Sequence, residues 1–373
     1  MADAAAVLEI DLAAIAANWL SLAQRVAPAT CAAVVKADAY GLGAAPVARA
    51  LYAAGCRQFF VALVDEGVAL RPTLAADATV YVLHGPLPGA EADCLEHRLV
   101  PVLNSLDQVE RWQALARERG EKLAAALQFD TGMARLGLAE SELGWLVEQP
   151  ARLEGIDLRL GLSHLVSAEE SDNPLNREQW QRFAQRHARL APCAASLANS
   201  SGIFLGRDFH FDLVRPGAAL YGIAPVRGAP NPMRGVIRLQ ARLLQWRELG
   251  CGEGVGYNHA WRSPGPARIA TVSIGYADGY LRSLGNRGRL RLESHELPVV
   301  GRVSMDTITV DASAVPPALL LPGTLLEVIG AGHDINAVAA EAGTNAYEIL
   351  TQLGPRYQRL YLDGPPPHGT PSP

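Results

Sequence analysis

Short apolar, β-branched runs alternate with helical patterns through roughly the first 230 residues, and this rhythm constrains the fold more than any other feature. The runs are Cys31–Lys36, Gln58–Leu63, Thr79–His84, Leu99–Leu103, Leu123–Phe129, Ile156–Leu162, Ala194–Ala198 and Phe211–Val214. Between them lie stretches such as Ser105–Leu115, where apolar residues recur at helical spacing and Ser105 is placed to cap the first turn. Eight strand–helix units of this length predict an α/β fold, a (β/α)₈ TIM barrel. A doubly wound sheet is the structural alternative, but no GxGxxG follows the first strand and nothing marks a switch point.

Beyond about Gly235 the helical spacing fades. Short alternating runs, Ile269–Ile274 and Leu297–Val303, are broken by Gly and Pro and predict a mostly β domain. One late helix, roughly Asn336–Ala342, interrupts it. A chain of 373 residues exceeds one ordinary core, so two domains are expected. The boundaries are 1–235 for the barrel, with its first residues candidates for pairing with the later domain, 236–363 for the β-rich domain, and a disordered Pro-rich tail at 364–373.

The net charge is −5 and both signs are scattered, which argues against nucleic-acid binding. No apolar run is long enough to span a bilayer, so no membrane partner is expected. Met1–Leu12 holds three acidic residues and no Lys or Arg, a poor secretory signal. Five widely spaced cysteines without a CxxC pair suggest a reducing compartment and no metal site. These readings predict a soluble cytoplasmic protein.

In a barrel, chemistry sits where strands end at their C-terminal edge, and phosphates bind after strands seven and eight. The first run ends in Lys36. Burial and neighbouring cations lower an amine's pKa and make it a nucleophile towards aldehydes; the plain alternative is a lysine snorkelling at a strand edge. After strand seven comes Asn199-Ser200-Ser201-Gly202, and after strand eight Arg215-Pro216-Gly217-Ala218. Small hydroxyls, a cation and free amides at both loops suit a phosphate-bearing ligand. A lysine with a phosphate site points to pyridoxal phosphate (PLP) or to an aldolase acting on a sugar phosphate. Arg135, after strand five, is either a carboxylate clamp or a helix-surface arginine. His164, after strand six, can contact a cofactor, orient a neighbour or simply be a satisfied buried imidazole.

Five stretches resemble the bacterial alanine racemases: Ala33–Gly43, Asp130–Gly137, Val214–Gly217 with Leu220–Gly222, Ile274–Tyr280 and Gly301–Asp306. The last two are the more specific, because they belong to the second domain of those enzymes. The resemblance implies interconversion of L- and D-alanine, for peptidoglycan or for alanine catabolism, by a homodimer with shared active sites. Lys36 is implied to carry PLP and to act as one base, and Tyr276 of the partner subunit as the other. Tyr40, Ser200, Gly217, Ala218 and Tyr347 are implied to hold the phosphate, with Asn199 beside it. Arg215 would face the pyridine nitrogen with His164 in support, while Arg135 and the partner's Met305 would contact the substrate. The family often has a carbamylated Lys where this chain has Gln128, which cannot be carbamylated; its carbonyl oxygen is expected to accept a hydrogen bond from Arg135, and activity is expected not to need carbon dioxide. Ser304 stands where Cys is common and leaves side-chain tolerance open. A racemase of serine or basic amino acids, a PLP barrel lyase and a non-catalytic PLP carrier are the alternatives.

Overall fold

A computed structural model describes residues 4–190 and 192–363. The proposed tail at 364–373 lies outside the described residues. The chain divides into two compact units. One runs from Ile15 to Arg234; the other joins the described residues up to Ala14 to those from Gly235 onward.

In the first unit, seven parallel strands follow one another in chain order: Ala33–Val34, Gln58–Val61, Thr79–Val82, Leu99–Leu103, Leu123–Gln128, Ile156–Leu162 and Ala194–Ser196. The eighth, Leu213–Val214, pairs in parallel with Thr30–Cys31, which continues into the first strand. Asp212 N donates to Ala195 O and Arg215 N to Ala198 O, while Ala32 N and Val34 N donate to Val214 O and Pro216 O. Strand eight is therefore tied to both strand seven and strand one, and the ring closes. Leu99–Leu103 is buried at all five positions, as a strand covered on both faces must be.

The crossover helices obey ordinary local rules. Leu106–Arg119 starts at Ser105, whose Oγ accepts from Gln108 N at 3.2 Å, and stops at Gly120 in a left-handed conformation. Its buried residues Val109, Trp112, Gln113 and Ala116 recur at helical spacing. Pro174–His187 is capped by Asn173, has Pro at its first position, and turns Asn176, Gln179 and Phe183 inward.

The second unit is mostly β. Its eight-stranded sheet places Ala6–Asp11 between Ile237–Leu249, antiparallel, and Gln358–Leu362, parallel. The long Ile237–Leu249 strand shifts register between Leu243 and Gln245 and passes its far half to Ala267–Val272. Two sequence expectations are corrected here. The run Leu297–Val303 is strand only through His295–Pro298, because Gly301 at φ 82° turns the chain. The late helix, Ile335–Ala342, is followed by a second, Ala346–Thr351, whose cap Asn345 accepts from Glu348 N at 3.0 Å. Six residues are too few for periodicity to reveal it. No described helix is long and apolar enough to cross a membrane.

Candidate active site

Strand one ends at Val34, and Lys36 opens the turn that follows. Ala37, Asp38, Ala39 and Tyr40 all sit at φ between 52° and 56°, a left-handed turn built without glycine. Such residues each cost about 1–2 kcal/mol and persist only where surrounding contacts hold them. Here Ala37 N donates to Glu66 Oε1 at 2.6 Å, and Asp38 Oδ1 accepts from Ala44 N at 2.7 Å. Glu66 Oε2 also accepts from Ala62 N at 2.7 Å, so one carboxylate joins the ends of strands one and two. Burial, with the positive charges of Arg135 and Arg215, lowers the Lys36 pKa, against a smaller opposing pull from Glu66.

Arg215, after strand eight, is 4 % exposed. Its guanidinium donates to Ser196 Oγ, to Ser163 O at 2.5 Å and to Leu197 O at 3.5 Å, and it has no carboxylate partner among the described residues. Burial lowers its pKa to about 10, so it stays charged at neutral pH. Next to it, Ser200 Oγ accepts from Gly217 N at 3.0 Å and Ala219 N at 3.1 Å, and Asn199 Oδ1 accepts from Gly202 N at 2.9 Å. Ala218 opens the short helical turn Ala218–Tyr221. Gly217 leaves room for Tyr40, since a Cβ there would overlap Tyr40 Oη. The Tyr40 ring packs on Tyr221 at 4.8 Å, and burial raises its pKa to about 12.

His164 follows strand six. Burial, then Arg215, Arg135 and Lys36, lowers its pKa to about 3, so the imidazole is neutral. Lys36, Arg135, His164 and Arg215 thus lie within electrostatic reach of one another at the ends of strands one, five, six and eight. Arg135 lies exposed in the Asp130–Gly137 loop rather than on a helix. Asp130 Oδ1 accepts from the backbone of Gly132, Met133 and Ala134 at 2.8–3.1 Å and shapes that loop. The expected Gln128–Arg135 hydrogen bond is not formed; Gln128 Nε2 donates to Leu136 O at 3.1 Å, which ties the side chain to the same loop. A groove of about 390 Å³ runs beside Arg135, lined also by His84, Asn104 and Gln108.

In the β-rich unit, Tyr276 and Met305 lie on two adjoining loops, 42 % and 53 % exposed. Tyr276 N donates to Ser304 O and Ala277 N to Met305 O, each at 3.0 Å. Gly275 permits this approach, because a Cβ there would overlap both carbonyl oxygens. Arg356 locks the pair from behind: Nε and Nη2 meet the two oxygens of Asp278 at 2.6 and 2.8 Å, and Nη1 meets Asp306 at 2.7 Å. Tyr357 Oη donates to Asp278 O at 2.6 Å. Tyr347 sits in the Ala346–Thr351 helix of this unit.

Family models for the N-terminal and C-terminal domains of alanine racemase match residues 10–225 and 236–361. The chain belongs to the alanine racemase family. Alanine racemase of Rhodospirillum rubrum is 50 % identical over 359 residues, covering 96 % of each chain. That of Brucella abortus is 48 % identical over 372 residues, covering 96 % of this chain and 94 % of its own. The crystal structure of alanine racemase from Bartonella henselae with covalently bound pyridoxal phosphate superposes with a TM-score of 0.93 at 43 % identity, covering 96 % and 100 %.

Several residues of this chain escaped the sequence reading. Glu66, Thr131, Ser163, Gln179 and Ser196 surround the barrel-end cluster, and Asp278, Asp306 and Arg356 back the Tyr276 loop. Thr131, Asp278 and Asp306 fall inside family stretches, which was the available signal. The others are polar residues whose partners lie far along the chain.

Proposed function

We propose that this chain interconverts L- and D-alanine, with pyridoxal 5′-phosphate as cofactor and Lys36 and Tyr276 as the two bases. The observation that carries the reading is the meeting of two unusual cations at one barrel mouth: a lysine whose ammonium is destabilised, and a buried guanidinium with only neutral partners. A buried charge without a counter-ion is costly unless something accepts from it. These residues fit PLP. Lys36 is suited to an aldehyde, Arg215 to a ring nitrogen, and the Tyr40–Gly217–Ala218–Ser200 surface, flanked by Asn199, to a phosphate; Tyr347 is assigned to the phosphate on the family resemblance alone.

Bound PLP supplies an electron sink that acidifies the substrate's Cα–H. The residues then have to move one proton between two faces of that carbon. Lys36, with its lowered pKa, accepts or returns the proton at Nζ on one face. Tyr276 of the partner subunit does so at Oη on the other. Arg215 keeps its own protons at neutral pH, donating hydrogen bonds without transferring charge. His164, neutral, adds no further positive charge beside it. Arg135 and Met305 of the partner subunit hold the substrate. A homodimer with shared sites follows from this assignment; Gln128, which cannot be carbamylated, supports activity that survives removal of bicarbonate, and the scattered cysteines support a cytoplasmic location.

The test is incubation of L-alanine with the protein and PLP, followed by chiral chromatography. The expected result is progress to equal amounts of both enantiomers, abolished in Lys36→Ala. Release of carbon dioxide or an aldehyde in place of D-alanine overturns the reading.

A further inference from the structure

We propose that Gln179, on the outer helix Pro174–His187, is a positioning residue that fixes where His164 and Arg135 stand relative to Arg215. The inference rests on the racemase reading for its functional meaning. Its physical content is a directed chain of hydrogen bonds. Gln179 is 1 % exposed, and its Oε1 accepts from Val166 N at 2.8 Å. That orientation turns Nε2 towards two acceptors, Thr131 Oγ1 and His164 O, each at 3.0 Å. Thr131 Oγ1, having accepted, has its own hydrogen left for Ser163 Oγ at 2.8 Å. The carbonyl of Ser163 accepts from Arg215 Nη2 at 2.5 Å. Arg215 Nη1 reaches Ser196 Oγ, which donates onward to Leu213 O at 2.6 Å. One amide on the outer layer thereby specifies the ends of strands five and six and connects them to the cation after strand eight.

Packing alone does not explain an amide at this place. The helix already buries Phe183 against Phe129 at 5.3 Å and against Phe211 at 4.8 Å. An apolar residue beside them would carry no desolvation penalty, whereas a buried amide is tolerated only when fully satisfied. All three partners of Gln179 lie in the loops that carry Arg135 and His164. Gln113 provides the contrast. It is also buried, and Nε2 donates to Ala151 O at 2.7 Å and Glu154 O at 3.1 Å, ahead of strand six at the opposite end of the barrel. The charged groups facing His164 are Lys36, Arg135 and Arg215 from the strand ends. Arg182, from the helix, donates to Thr131 O at 3.1 Å and steadies the same loop.

The experiment compares Gln179→Met, Gln179→Glu, Thr131→Val and Gln113→Met with the parent. The first readout is the His164 imidazole titration, followed by NMR in protein without added cofactor; the second is the division of any loss between kcat and KM for alanine. Gln179→Met is expected to let His164 titrate at higher pH, as the ring leaves the field of the three cations. It should also lower kcat about tenfold, the effect of losing about 1.4 kcal/mol of positioning. Gln179→Glu keeps the bond from Val166 but turns a carboxylate oxygen towards His164 O, where neither group donates, so it should lose kcat as Gln179→Met does. Gln113→Met is expected to lose stability but keep parental kcat and titration. Thr131→Val breaks the chain without touching the helix, and serves if Gln179→Met does not fold. Parental titration and kcat in a folded Gln179→Met or Thr131→Val, or an equal kcat loss in Gln113→Met, overturns the proposal. If the parent itself fails to racemise alanine, the functional reading falls, and the NMR titration still decides the role of Gln179.

Discussion

Replacing Gly217 by alanine tests the phosphate cradle with one methyl group. The new Cβ would overlap Tyr40 Oη, with Tyr40 Cζ 3.1 Å and Val34 Cβ 3.2 Å away. Tyr40 has little room to retreat. Its ring lies 4.8 Å from that of Tyr221, whose hydroxyl is in turn bonded to Val34 O at 2.9 Å. Val34 belongs to the first barrel strand, so moving it would disturb the ring of strands. Overpacking of this kind costs about 1–3 kcal/mol. If Tyr40 yields, its hydroxyl leaves the cradle and PLP binding weakens by about 5- to 150-fold, at roughly tenfold per 1.4 kcal/mol. If it does not yield, the strain instead lowers the melting temperature of the cofactor-free protein by about 2–4 °C per kcal/mol. PLP titration followed by absorbance, with a thermal melt of the same samples, separates the two. Gly265→Ala, where nothing lies within 4 Å, is the control. Parental PLP affinity together with a parental melting temperature in Gly217→Ala would refute the overlap with Tyr40 and its place in the phosphate cradle.

Three further outcomes are expected. Mixing Lys36→Ala with Tyr276→Phe, each inactive alone, should restore activity to about one quarter of the parent, since half the dimers formed at random are mixed and each holds one intact site of two; no recovery after verified subunit exchange would refute a shared site. Arg356→Leu should lower kcat while leaving PLP affinity unchanged, because its guanidinium holds Asp278 and Asp306 behind the Tyr276 and Met305 loops; an unchanged kcat would show that those loops need no clamp. His164, with a pKa of about 3 against 6.5 in the unfolded chain, refuses a proton that the unfolded state takes up. Its contribution is intact above pH 6.5 and is lost as the pH falls towards 3, so His164→Gln should flatten the fall in stability across that window in urea titrations. An identical slope in the variant would remove His164 as the cause.

The barrel was legible because its strands are buried on both faces and therefore read as unbroken apolar runs, Leu99–Leu103 most plainly. Lys36 and Arg215 stood out for a related reason: a charge at the end of such a run needs an explanation. The left-handed turn at Ala37–Tyr40 left no trace, since Ala-Asp-Ala-Tyr contains none of the glycines that usually announce positive φ. Gln179 was silent because a polar residue on a helix reads as solvent-facing until its partners at Thr131, His164 and Val166 are known. Arg356 and Asp278 are likewise distant in sequence and adjacent only in the fold. Gln128 shows the limit of reading one residue against a family pattern. Its identity excluded a carbamate, but which neighbour its amide would choose depended on the path of the loop, which brings Leu136 O within reach.

The placement of Ala6–Asp11 between strands Ile237–Leu249 and Gln358–Leu362 bears on how the chain is made. On the ribosome this segment emerges before the barrel, yet both of its neighbours emerge after it. It must wait unpaired, with Leu8 and Ile10 destined for full burial, while the barrel has everything it needs to fold. The β-rich unit is thus a late product that closes only when segments translated before and after the barrel meet. Damage to the opening residues should accordingly be felt not in the barrel that follows them but in the distant loops that carry Tyr276 and Met305.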